Sequence, residues 1–330
     1  MRLFLIIMPL LIITACAGAA AVVYRALTYH LELPEPVQIT VHRGDSLRQI
    51  TRNLEAHQLI VYPEVVEFYA RVRGEASAFR AGEYQFSGTV TLLDVLSALK
   101  RGNVVQYRVA LVEGETLKTW INKLHKHPKI KRTVSFSQLD VLREAVKEER
   151  ENLEGLFFPD TYTFSSGDTD VTILVRAYDA LQRHLSRVWA NREPSLPYAN
   201  AYELLTLASI VEKETALAEE RPRIAGVFVS RLRKGMKLQT DPTVIYGLGD
   251  TFSGNLKRIH LRTDNPYNTY ERKGLPPTPI AMVGLAALQA ASQPTITGDL
   301  YFVAKGNGSH AFSKTYKQHA RAVRQYQLKR

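Results

Sequence analysis

Along this chain the apolar residues first crowd together, then alternate, then recur at helical spacing. Residues 3–24 carry no charged side chain and are bracketed by Arg2 and Arg25. About 20 apolar residues cross the hydrocarbon core as a helix, so this stretch is predicted to be a single membrane-spanning anchor, with Pro9 tolerable inside it. Cations on both flanks leave its orientation undecided. The small residues at Ala15-Cys16-Ala17 would also suit a cleaved leader or a lipidated Cys16, but the apolar run continues to Tyr24, which favours the retained anchor. Pro34 and Pro36 mark residues 25–36 as an extended linker.

From residue 37 the period changes. Residues 37–41 alternate as a strand, Gly44-Asp45-Ser46 gives a turn and a helix cap, and Leu47, Ile50 and Leu54 fall on one helical face. A second helix is expected over 63–73, a strand over 82–86, and a helix over 91–100 closed by Gly102. The strand-turn-helix pattern then returns more weakly, with residues 109–112 leading into Gly114-Glu115-Thr116-Leu117 and on to Ile121 and Leu124, as an internal repeat would. A domain boundary is expected near 103–106. Residues 132–151 read as polar and helical, and residues 171–190 as a long amphipathic helix packing on a helix over 204–218. Short strands at 301–303 and 310–312 precede a basic helical tail.

The helix from Leu204 is where chemistry is expected. Leu204, Leu207, Ala208 and Val211 form its apolar face, Glu212 and Glu214 flank that face, and Lys213 points away. A carboxyl beside a buried face is partly desolvated, which raises its pKa and lets it hold a proton for donation near neutral pH. Glu-Lys-Glu is also common on solvated helices, so the pair alone does not decide. Pro222 opens a second helix and Gly235 ends it, before Gln239-Thr240-Asp241-Pro242. Thr240 or Asp241 can cap the helix that follows, which leaves Gln239 and Tyr246-Gly247 unaccounted for. Aromatics crowd around Asp160: Phe157 and Phe158 read as core, while Asp160 and Tyr162 remain open as sugar-facing groups. Tyr267-Asn268-Thr269-Tyr270 and the proline-rich 274–279 are irregular and suited to a polysaccharide cleft.

Composition narrows the chemistry. In 330 residues, a net charge of +11 favours an anionic partner or surface. The cations are dispersed and no nucleic-acid-binding motif is present, so nucleic acid is set aside. One cysteine permits no internal disulfide, and nine histidines without ligand spacing indicate no metal cofactor. No serine elbow or phosphate loop occurs.

The segments ASIVEKET, RLRKGMKLQTDPTVIYG, PYNTY and GLPPTPI together resemble the YceG-like family of endolytic murein transglycosylases, over nearly the whole length of the chain. The resemblance implies that one glutamate of EKET is the catalytic acid. Lytic transglycosylases carry Glu followed by Ser, and Glu214-Thr215 is similar to that pair, so Glu214 takes the role with Glu212 as the fallback. Gln239, Thr240, Asp241, Tyr267 and Asn268 are the expected substrate-binding residues. The opening of the 37–104 stretch resembles a LysM module, a βααβ glycan-binding fold.

The expected organisation is therefore α+β. It runs from a cytoplasmic end at 1–2 and an inner-membrane anchor at 3–24, through the linker, to a LysM-like subdomain at 37–104 and a catalytic domain at 105–330 outside the membrane. The resemblance implies cleavage within nascent peptidoglycan strands, without cofactor, giving 1,6-anhydro ends. A hydrolase pairing Glu214 with Asp241, Asp160 or Glu212, and a non-catalytic wall-binding adaptor, are the alternatives. Which peptidoglycan synthases or division proteins it meets is not written in the sequence.

Overall fold

The computed structural model describes residues 2–75 and 77–328. The chain divides into two compact units, Met1–Tyr107 with Thr163–Gly167, and Arg108–Tyr162 with Asp168–Arg330. Both mix helix and strand.

The first unit opens with α1 (Arg2–Thr28), of which Leu11–Thr28 is apolar and long enough to cross a membrane. Then follow β1 (His30–Val41), α2 (Leu47–Ala56), α3 (Pro63–Val72), β2 (Gly82–Thr91) and α4 (Leu92–Arg101). β1 and β2 pair antiparallel, with His30 opposite Thr91 and Val41 opposite Gly82. Their register breaks between Leu33 and Val37, where Pro34 and Pro36 sit. Proline cannot donate to a ladder and is accommodated at such an irregularity, so the stretch expected as an extended linker holds the end of α1 and the first half of β1. Ser46 caps α2 through a capping box with Gln49, after Gly44 at φ +90°. Thr91 and Asp94 do the same for α4, which ends on left-handed Gly102. Ile39, Leu54, Val66, Tyr84, Val95 and Leu99 form the core, joined by Leu27 from the end of α1.

β3 (Gln106–Leu111) and β4 (Asp160–Ser165) form a second two-stranded sheet. The second unit is mostly helical: α5 (Leu117–Lys126), α6 (Asp140–Val146), α7 (Asp170–Ala190), α8 (Ala201–Glu214), α9 (Arg221–Arg233), α10 (Asp241–Leu248), α11 (Arg258–Arg262), α12 (Leu285–Ser292), the hairpin β5 (Tyr301–Ala304) and β6 (His310–Ser313), and α13 (Tyr316–Tyr326). Where a repeat was anticipated, Thr116 caps α5 after Gly114 as Ser46 caps α2 after Gly44. Only α6 is helical within 132–151, because the rest lacks a periodic apolar face.

α8 is the hub. Every residue from 204 to 211 is buried, and α7, α9 and α12 pack around it. This is more than the single apolar stripe the spacing suggested. Its polar members are satisfied locally: Ser209 Oγ donates to the Thr206 carbonyl (2.7 Å) and accepts the Ile280 N–H (3.0 Å). The proline-rich stretch near Ile280 lies against Gly155, where a Cβ would stand 2.4 Å from the Pro279 side chain. Gly155 also holds φ +77°, so both space and backbone require glycine.

Candidate active site

α8 stops at Glu214, four residues short of the predicted end. Thr215 leaves the helix in an extended conformation and its hydroxyl accepts the Leu217 N–H (3.0 Å), a local bond that competes with further helix. The catalytic candidate is therefore the half-buried last residue of the hub helix, just past its buried run.

Opposite Glu214 lies the start of α10. Thr240 occupies the N-cap position but makes no capping bond. Instead its hydroxyl donates to Glu214 Oε1 in a short hydrogen bond, which corrects the capping role the sequence allowed it. Thr240 is held from behind: its N–H donates to Thr269 Oγ1 (3.1 Å), and Thr243 bonds both the Thr240 carbonyl (2.8 Å) and the Thr269 hydroxyl (2.9 Å). Glu214 Oε2 has no partner among the described residues. Next to this pair, exposed Asp241 accepts from the Tyr270 hydroxyl (2.7 Å).

Burial pushes the Glu214 carboxyl up to about 7, and the neighbouring Asp241 charge pushes the same way. The Thr240 bond, His310 and Arg231 pull against it. Thr240→Val should therefore raise the Glu214 pKa further. A lost hydrogen bond of ~1 kcal/mol corresponds to about 0.7 pH units, so the alkaline limb of kcat/KM should move up by that amount. An unmoved limb in a pH-rate profile would count against the Thr240–Glu214 bond.

The other predicted site residues are distributed as follows. Glu212 is half-buried and accepts the Gly284 N–H (2.9 Å), and burial raises its pKa too. Gln239 is exposed at φ +52°, its N–H on the Thr269 carbonyl (3.1 Å). Tyr267 packs edge-on against Tyr246 (4.8 Å between centroids) and shares a hydrogen bond with Thr278 (3.0 Å). Asn268 is 1% exposed, and its amide donates to the carbonyls of His260, Leu261 and Thr263. That side chain, expected to orient sugar, is spent on shaping its own loop. Asp160 is exposed, and Tyr162 is buried with its hydroxyl on the Phe158 carbonyl (2.7 Å). Phe157 is core as expected, whereas half-buried Phe158 stacks on His184.

Three groups escaped the sequence reading. Arg231, 7% exposed on α9, donates to the carbonyls of Leu300 (2.6 Å), Leu238 (2.7 Å) and Lys237 (3.2 Å), fixing the approach to Gln239. His310 on β6 has Nδ1 2.6 Å from Glu220 Oε2, while its N–H donates to Oε1 (3.0 Å). Glu154 is 3% exposed, accepts the Leu117 N–H (3.0 Å), meets the Tyr246 hydroxyl at 3.4 Å, and is pushed by burial up to about 7. The available signal was a lone charge inside an apolar run, at Arg231 in VFVSRL and Glu154 before GLFF.

The model of the YceG-like family matches residues 39–325. The chain belongs to the YceG-like family. It is 31% identical to the endolytic murein transglycosylase of Bacillus subtilis over 91% of this chain and 90% of that protein. Against the protein of the same name from Streptococcus pneumoniae, serotype 2, identity is 27% over 98% of this chain and 64% of the longer relative. Among solved structures, a YceG-like protein from Listeria monocytogenes superposes with a TM-score of 0.55 at 29% identity, covering 87% of this chain and 99% of that one.

Proposed function

We propose that this YceG-like chain is an endolytic peptidoglycan lytic transglycosylase that cuts the bond between N-acetylmuramic acid and N-acetylglucosamine within glycan strands. The observation that carries the reading is one carboxyl, Glu214, with one oxygen held by Thr240, no partner on the other among the described residues, and a pKa that burial pushes up to about 7. Glu214 gives its proton to the leaving glycosidic oxygen as that bond to C1 breaks. The resulting carboxylate takes the proton from the muramoyl C6 hydroxyl, whose oxygen closes on C1. The products are a 1,6-anhydro end and a free 4-hydroxyl on the departing sugar, with Glu214 reprotonated. Because the nucleophile is part of the substrate, one carboxyl serves both steps, whereas hydrolysis ordinarily uses two. Gln239, Asp241 and Tyr267 remain the groups proposed to meet sugar.

Asp241 supports a second reading. Its charge acts on Glu214, and a water held by it would make the enzyme a muramidase. Mass spectrometry of uncrosslinked strands digested by the full chain separates the two. Internal cuts ending in 1,6-anhydro sugars are expected; reducing ends would establish hydrolysis, and intact strands still bound to the protein would favour the adaptor.

For the rest of the chain, α1 is proposed to be a single-pass inner-membrane anchor with a cytoplasmic N-terminus, leaving the catalytic domain of 105–330 outside and acting on nascent strands. The β1-α2-α3-β2 order and the Gly44-Asp45-Ser46 turn support a LysM-like subdomain over 37–104.

A further inference from the structure

The end of α1 is not a free tether. Val23 and Leu27 pack on the core of the first unit, in one cluster with Leu59, Ile60 and Leu92. Beside this seam lies a cavity of about 510 Å³, walled by Val22, Arg25 and Ala26 of α1, Leu31 of β1, and residues 58–62 between α2 and α3. The residues lining it include one cation and no carboxylate. Around it Val22, Tyr24, Tyr29, Val61 and Tyr62 are 59–70% exposed. Large apolar groups gathered this way on a surface mark an interaction face.

Position along α1 identifies what covers it. At 1.5 Å per residue the uncharged run 3–24 is about 33 Å long, close to the ~30 Å of a hydrocarbon core. Its end at residues 22–24 then reaches the edge of the acyl region. Arg25 and Tyr29 fall about 2 to 8 Å farther out, at the depth of headgroups, where cations and tyrosines are favoured. Because Val22, Arg25 and Ala26 share the cavity with Val61 and Tyr62, the 58–62 loop stands at that same depth.

We infer that the 58–62 loop and the adjoining face of α1 are a membrane-docking surface, with Val61 and Tyr62 inserted between lipid headgroups, acyl chains filling the cavity and Arg25 on lipid phosphate. The inference rests on the proposal that α1 spans the bilayer. It makes the first unit a body seated on the lipid, which suits an enzyme acting where strands emerge.

The test uses the full chain in a Cys16→Ser background, reconstituted in phosphatidylcholine vesicles with phosphatidylglycerol. Single cysteines are introduced by Val61→Cys, by Leu11→Cys within the span, and by Arg43→Cys in the turn just past β1, a strand about 35 Å long. Each carries an environment-sensitive fluorophore. Brominated acyl chains should quench the probe at 11 strongly, the probe at 61 about half as strongly, and the probe at 43 not at all. Quenching at 11 with a probe at 61 that behaves like the one at 43 would overturn the docking surface and leave the span intact. Absence of quenching at 11 would overturn the span and the docking surface with it.

Discussion

Glu214→Gln is expected to abolish strand cleavage, lowering kcat by about 10³-fold or more, whereas Glu212→Gln should stay within about threefold of the parent. The two glutamates lie two positions apart on α8, yet their surroundings assign them different work. The Glu214 oxygen that has no partner among the described residues, the Thr240 hydroxyl on its other oxygen and a pKa pushed up to about 7 suit a group that must give a proton and take one back. Glutamine keeps the size and can still accept from Thr240, but it carries no proton to give. Glu212 is committed to the Gly284 N–H, and a glutamine oxygen can accept that bond equally well. Quantifying anhydro ends released by each variant, alongside its thermal melt, checks both. Activity retained in Glu214→Gln and lost in a folded Glu212→Gln would transfer the role to the fallback residue. For the parent enzyme, kcat/KM should fall as pH rises through about 7, since the acid must begin protonated.

Legibility in the sequence followed the range of the interaction. Caps and turns were readable because their determinants are local: the Gly44-Asp45-Ser46 turn and cap before α2, and Gly102 ending α4. The amphipathic helix α7 and the hub helix α8 were readable from apolar spacing. Long-range placement was not. Nothing local says that the Thr240 hydroxyl turns from its own helix to a carboxylate 26 positions earlier. Nor does anything local pair His310 with Glu220, 90 positions away. Asn268 is the converse case, where a polar side chain in a motif suggested ligand contact and its amide donates to backbone carbonyls a few residues off. The prolines of β1 misled for a related reason, since only the partner strand reveals that a register break absorbs them.

Asp170→Asn should be the most destabilising conservative change in the second unit, costing about 3–5 kcal/mol and lowering the melting temperature by roughly 10 °C. The number of donors around each desolvated carboxyl decides its state. Glu214 has one, and burial prevails. Asp170 is fully buried at the start of α7 and accepts the N–H groups of Thr133 (2.9 and 3.0 Å), Val134 (3.1 Å) and Val171 (2.9 Å), the Thr133 hydroxyl, and His125 Nε2 (2.9 Å). Burial alone would raise its pKa, but the Thr133, Val134 and His125 bonds outweigh it and hold the carboxyl below its ordinary range. Asparagine would point an amide N–H₂ at groups that are themselves donors, leaving several unsatisfied, and would remove the charge that draws residues 131–134 onto α7. The sign with pH follows. A depressed folded pKa stabilises above the unfolded value of ~3.9, and that stability is lost as pH falls through the lower folded value. Thermal melts of parent and variant should thus stand far apart at pH 7 and draw together below pH ~4. A gap under about 1 kcal/mol at pH 7 would mean that water, rather than this carboxylate, satisfies those donors.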